Sequence, residues 1–263
     1  MFAQVNGLRL AYGDRGKEHE KVLLLVHGFP LDRRLWGAQA GAFANMTRVI
    51  TPDLRGHGKS QVVPGPFTMD QHADDLAALL DHLKIRRAVV AGLSMGGYVA
   101  FAFWRRYPAQ VQGLILADTR AEPDSVAARA GRDAAMDRVR QTGAAVYASE
   151  MLPRLLAPAS LADEKIAGAA WKMMAEQPES GIIGALGGLR DRADSCPTLL
   201  TISVPTLVVA GEADAITPPA DAHILAAAIT DARLAVIPKA GHLTPLENPR
   251  AFNAAVRMFL RGL

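Results

Sequence analysis

Val89-Val90-Ala91-Gly92-Leu93-Ser94-Met95-Gly96-Gly97-Tyr98 joins an apolar, β-branched run to a long apolar stretch through Gly-x-Ser-x-Gly. Ala88 to Ala91 has the texture of a buried strand. Tyr98-Val99-Ala100-Phe101-Ala102-Phe103-Trp104, apolar on every face and ended by Arg105-Arg106-Tyr107-Pro108, has that of a buried helix. A turn sharp enough to connect the two leaves no room for side chains at Gly92 and Gly96 and strains the serine at its apex. Ser94 then stands exposed beside the first turn of a helix, whose unpaired N–H groups and positive dipole end favour a developing negative charge.

Outward from this elbow, strand-like runs alternate with helical patterns. Phe2 to Val5 and Leu8 to Tyr12 flank Asn6-Gly7, the preferred pair for a two-residue hairpin turn, and predict an antiparallel edge. Lys21 to His27 is a continuous apolar run fit for a central strand buried on both faces. A helix is expected from Leu31 to Met46, a strand over Arg48 to Thr51, and an amphipathic helix from Thr68 to Leu83. Further strands are expected at Val111 to Asp118, Val204 to Gly211 and Arg233 to Ile237. Such alternation implies right-handed parallel crossovers, so the fold class is α/β, a mostly parallel twisted sheet with helices on both faces. Between about Ala121 and Leu199 no strand-like run occurs, and Pro153, Pro158, Pro178 and Gly187-Gly188 punctuate helical spacing. The expected division is a core of residues 1–120 and 200–263 with a helical cap, 121–199, over the carboxyl edge of the sheet.

A chain of 263 residues, 50% hydrophobic and 21% charged, suffices for one large core. Its net charge of +3 comes from scattered arginine pairs rather than a block of like charge, which argues against a nucleic-acid partner. The single cysteine, Cys196, allows neither an internal disulfide nor a zinc cluster of thiolates. No apolar run near Met1 has signal-peptide length and none approaches a membrane span, so a soluble, cytoplasmic protein without a membrane partner is expected. Gly56-His57-Gly58-Lys59-Ser60 fails as a phosphate loop, because four residues must separate the first glycine from Gly-Lys.

Three loops at expected strand ends carry the chemistry. His27-Gly28-Phe29-Pro30 puts a backbone amide at the carboxyl edge, and the N–H of Phe29 is assigned to an oxyanion hole, with His27 in a structural role. Asp214 and His242 follow Ser94 at the ends of two later strands, in the order serine, acid, histidine. A serine hydroxyl is a poor nucleophile until a base takes its proton. A histidine suits that task, and a carboxylate fixes its tautomer and steadies the imidazolium. Asp118 also ends a strand; Asp214 is preferred as the acid, which leaves Asp118 as a loop or helix-cap residue.

His-Gly-Phe-Pro at 27–30, Asp-x-Arg-Gly-His-Gly-x-Ser at 53–60, Gly-x-Ser-Met-Gly-Gly at 92–97 and Gly-His at 241–242 give a chain that resembles the α/β-hydrolase superfamily. The resemblance is to its small single-domain esterases and lactonases and covers nearly everything but the cap. It implies Ser94 as nucleophile, Asp214 as acid, His242 as base, and the amides of Phe29 and Met95 as oxyanion donors. Epoxide hydrolases and dehalogenases share the first motif but carry an aspartate where this chain has Ser94. The implied activity is cleavage of a small carboxylic ester or lactone through an acyl-enzyme, with no metal and no cofactor. The alternatives are an enol-lactone hydrolase of aromatic catabolism and a slow ligand sensor on the same fold. A cap over the site predicts a small, mostly apolar chamber, with Trp36 below it, that favours short acyl groups; Trp171 and Met151 are either core between the cap helices, the commoner role of such residues, or part of its lining.

Overall fold

A computed structural model describes residues 1–263. Eight strands, β1 (Phe2–Val5), β2 (Leu8–Arg15), β3 (Val22–Val26), β4 (Arg48–Pro52), β5 (Ala88–Leu93), β6 (Val111–Ala117), β7 (Thr206–Gly211) and β8 (Ala232–Ile237), form one sheet. Its order is β1-β2-β4-β3-β5-β6-β7-β8. The helices are α1 (Gly37–Phe43), α2 (Met69–His82), α3 (Met95–Arg106), α4 (Val126–Leu155), α5 (Pro158–Ala162), α6 (Glu164–Ala175), α7 (Glu179–Arg190), α8 (Cys196–Leu199), α9 (Pro219–Ala228), α10 (Thr244–Glu247) and α11 (Pro249–Arg261).

The hairpin forms at Asn6-Gly7, both in the left-handed region (φ 47° and 77°), as a two-residue turn between twisted strands requires. β1 and β2 run antiparallel to their neighbours, and from β4 to β8 every pairing is parallel. All five residues of β3 are buried: Leu24 and Val26 join the core on one face of the sheet, and Leu23 and Leu25 the core on the other. This is why the strand reads as an unbroken apolar run rather than an alternating one. After β3 the chain steps to β4 on one side and then returns to β5 on the other, so the strand order reverses between β3 and β5. Open α/β sheets bind ligands in the crevice at such a reversal, outside the carboxyl ends.

The single helix expected over residues 31–46 is instead a 3₁₀ turn, Arg33–Trp36, followed by α1. Asp32 starts the turn early by accepting the Arg34 N–H. At α2 the Thr68 hydroxyl accepts the Gln71 N–H and the Gln71 side chain accepts the Thr68 N–H, a reciprocal cap. Between β6 and β7 lie α4 to α8 and no strand. α4 is bent at Gly143 (φ 77°, ψ 172°) and packs against α6 and α7. Met136, Val139 and Ile182 of this insertion join one core, and Ala148, Met173 and Met174 the other. No helix is long and apolar enough to cross a membrane.

Candidate active site

β5 and α3 meet at Ser94, whose φ of 54° and ψ of −113° lie outside the regions ordinary residues occupy. The strain is held by close backbone packing. A Cβ on Gly92 would stand 2.1 Å from the Gly96 carbonyl oxygen, and one on Gly96 would stand 2.3 Å from that of Val26. β3 thus presses directly on the elbow, and Gly28 beyond it lies where a Cβ would be 3.2 Å from the Ser94 Cβ. Every residue of α3 from Met95 to Trp104 is buried, as an all-apolar helix must be.

Ser94, His242 and Asp214 come together in one line. Ser94 Oγ is 2.8 Å from His242 Nε2, and His242 Nδ1 is 2.8 Å from Asp214 Oδ2. Asp214 is fixed by three further donors: the amides of Ile216 and Thr217 on Oδ1 at 2.8 and 3.0 Å, and the Thr217 hydroxyl on Oδ2 at 2.7 Å. Burial alone raises this carboxyl, but the charge and hydrogen bond of His242, with the hydroxyl and amide of Thr217, outweigh it and hold Asp214 below the usual carboxylate range. An ionised Asp214 can only accept a hydrogen bond, so it holds the imidazole proton on Nδ1 and leaves the Nε2 lone pair facing the serine hydroxyl. The amide of Met95 is the first of α3 and has no partner within the helix. That of Phe29 donates no hydrogen bond to the backbone, and both residues line the same cavity as Ser94 and His242.

Asp118 lies in the bend just after β6, the loop position expected of it, and its side chain acts there as a buried strut. It is buried with φ of 47°, accepts the Gly211 N–H at 2.8 Å and is hydrogen-bonded to the Thr244 hydroxyl, which ties the ends of β6 and β7 to the segment after His242. Burial first, and then nearby Asp214, push its carboxyl well above the usual range. His27 is fully buried, with Nε2 accepting the Leu54 N–H and Nδ1 hydrogen-bonded to the Gly28 carbonyl, both at 2.9 Å. Its ring braces one loop on the other.

A cavity of about 650 Å³ opens from Ser94 and His242 toward the insertion. Met151 lines it; Trp36 and Trp171 do not. Trp36 is fully buried behind the loop, 5.9 Å from the Phe252 ring, because the 3₁₀ turn points it into the core. Trp171 stands 39% exposed on α6 with its N–H on the Ser149 hydroxyl, on a face turned away from the site. Eleven of the 18 residues lining the cavity are hydrophobic, in keeping with a mostly apolar chamber, and its charged members, Arg132, Arg138, Glu150 and Arg154, reach the wall from α4. Arg138 pairs with Glu150 and Arg132 with Asp124, whereas the Arg154 guanidinium enters no ion pair. With Arg132 and Arg138 each paired to a carboxylate, Arg154 is the one unpaired guanidinium on this wall. Sequence reasoning missed these residues and Tyr98, Tyr147 and Thr217. The available signal was the spacing 128, 131/132, 135, 138 on α4, a helical stripe of small residues and arginine.

The family model described as alpha/beta hydrolase fold matches residues 21–249. The chain is 31% identical over 253 residues to 3-oxoadipate enol-lactonase 2 of Acinetobacter baylyi, covering 96% of this chain and 93% of that protein. It also resembles the solved structure of a thermophilic esterase from Thermogutta terrifontis with malate bound, at 43% identity and a TM-score of 0.96 over 100% of this chain and 98% of the other. For the enol-lactonase from Burkholderia xenovorans LB400 the values are 30% and 0.93, over 99% and 100% of the two chains.

Proposed function

The chain belongs to the alpha/beta hydrolase family, and from that premise we propose a serine hydrolase that cleaves small carboxylic esters or lactones through an acyl-enzyme. Ser94 Oγ attacks the carbonyl carbon while its proton passes to His242 Nε2. Asp214 steadies the imidazolium through Nδ1, and the negative charge on the former carbonyl oxygen is met by the amides of Phe29 and Met95. Collapse expels the alcohol, or opens the lactone ring, with the proton returned from His242; water then repeats the sequence on the acyl-serine. The insertion, residues 121–199, acts as a cap that walls the site. The observation that carries this reading is the 2.8 Å and 2.8 Å line from Ser94 to Asp214, ending at the floor of a cavity of about 650 Å³.

The test is Ser94→Ala. It should keep the fold and lower kcat on p-nitrophenyl acetate by about 10⁴-fold or more, since binding and the oxyanion hole alone give a small part of the acceleration. Wild-type protein should take up one fluorophosphonate at Ser94, seen by intact mass. Substantial activity in the alanine protein, or no adduct, defeats the assignment, and binding without multiple turnover would point to a ligand sensor.

One observation favours a narrower substrate. The unpaired guanidinium of Arg154 on the α4 wall suits an ester or lactone that bears a second, ionised carboxyl group. The names of the enol-lactonase relatives, and the malate held by the Thermogutta terrifontis esterase, support the same chemistry.

A further inference from the structure

Glu247 ends the short helix that follows His242, and its side chain turns back onto the loop it came from. It is 9% exposed, and backbone amides meet both of its oxygens. Oε1 accepts the N–H of Gly241 at 2.9 Å and of Leu243 at 3.0 Å, the two residues that flank His242. Oε2 accepts the N–H of Ala157 at 2.8 Å, where the chain leaves α4 and turns into α5. The His242 N–H donates to the carbonyl of Leu155, the last residue of α4, at 2.8 Å. Gly241 is pressed so closely on this turn that a Cβ there would stand 2.5 Å from the Ala157 nitrogen.

A buried carboxylate is costly unless donors converge on it, and donors that converge on one group fix one another, because moving any of them leaves the charge unmet. The proton-transfer line does not use Glu247. We propose that Glu247 is a positioning residue: it sets the backbone of His242 so that Nε2 reaches Ser94, and through Ala157 it couples that setting to α4, the helix that walls the cavity. This rests on the serine-hydrolase reading of the site. The base and the substrate-facing helix then move as one unit, so displacing the end of α4 withdraws His242 from Ser94.

Glu247→Gln keeps the shape but leaves one acceptor oxygen and turns an NH₂ group toward an amide. Its kcat per titrated site should fall about tenfold or more with KM changed less than about threefold, and fluorophosphonate labelling of Ser94 should slow by the same factor as kcat. Thr68→Ala, which removes the cap of α2 away from the site, should lower stability and leave kcat unchanged. Unchanged kcat and labelling in Glu247→Gln, or an equal loss of kcat in Thr68→Ala, overturns the proposal. Amide exchange in the wild-type protein needs no variant. The Gly241, Leu243 and Ala157 amides share one acceptor group and should show protection within about tenfold of each other. Ala157 exchanging orders of magnitude faster than the other two would overturn the coupling. Failure of wild-type Ser94 to react with the probe would defeat the hydrolase reading instead, and would leave the exchange result standing.

Discussion

The two sides of the cavity are built differently. On the sheet side, Ser94, Met95, Phe29 and His242 are placed by backbone packed so tightly that a single methyl group at Gly92 or Gly28 would collide with the elbow. On the insertion side, Arg132, Arg138, Glu150 and Arg154 reach in from one bent helix on long side chains, and Arg138, Glu150 and Arg154 are exposed. Proton transfer and charge stabilisation need groups held within a fraction of an ångström, which backbone and short side chains provide. Recognition of the rest of a substrate tolerates adjustable groups. Changes on the sheet side should therefore cost orders of magnitude whatever the substrate, and changes on the insertion side should cost less and depend on it.

The sharpest form of this contrast lies among the carboxyls around His242. Asp214→Asn removes the ionised partner of Nδ1 and favours the wrong tautomer, so kcat should fall by about 10³- to 10⁴-fold with the fold intact. Asp118→Asn keeps a group able to bond both Gly211 and Thr244 and should lower kcat by less than about tenfold. A larger fall for Asp118→Asn would assign the acid to the end of β6. It would also mean that the Asp214 geometry is not the one used in catalysis.

The rigidity of the sheet side has a consequence in acid. His27, His57 and His72 are fully buried beneath these loops, and burial first of all lowers the pKa of each, that of His57 to about 3. A group with a depressed folded pKa binds fewer protons folded than unfolded, so stability is fully present above the unfolded value near 6.5 and is lost as pH falls below it. Each such histidine removes up to about 1.4 kcal/mol per pH unit in that window, and Asp118, shifted the other way by burial, works against the loss. Urea midpoints should drop between pH 7 and pH 5, and His72→Leu should flatten the drop. A flat profile for the wild-type protein would mean that the loops are looser than their packing indicates.

Legibility divided along the same line. The elbow, the apolar strands, and the positions of Asp214 and His242 at strand ends were readable because each depends on local chain geometry: a glycine where a Cβ cannot fit, an unbroken apolar run between two cores, an acid or a histidine after a strand. Trp36 was misread because its place in the chain beside the Phe29 loop says nothing of its direction, which the 3₁₀ turn begun by Asp32 decides. Trp171 was misread because several faces of an insertion helix are apolar, and only the packing of α4 on α6 and α7 selects the one turned to the site. The arginines of the wall could not be placed without the bend at Gly143, which brings both halves of α4 to one cavity. Asp118 was readable as a carboxyl at a strand end but not as a buried strut, since both of its partners come from segments more than 90 residues away.

The smallest expected effect probes the insertion side itself. Arg154 is exposed and unpaired at the cavity wall, and an exposed charge is worth about 1 kcal/mol or less to a partner, so it should act as a tuner and not a requirement. Mono-p-nitrophenyl adipate and p-nitrophenyl hexanoate have acyl chains of equal length and differ in a terminal carboxylate. Arg154→Gln should lower kcat/KM for the adipate by about three- to sixfold and leave the hexanoate within about twofold. Raising salt from about 0.1 M to about 1 M shortens the screening length from about 10 Å to about 3 Å, and should shrink the wild-type preference for the adipate toward that of the variant. If the two esters respond alike to both changes, the wall does not read charge, and size alone selects among substrates. An acetate-to-palmitate series then decides what the insertion does: a fixed wall gives a maximum at short chains, whereas a maximum at palmitate would mean that α4 swings clear as a mobile lid, contrary to its tie to His242 through Glu247.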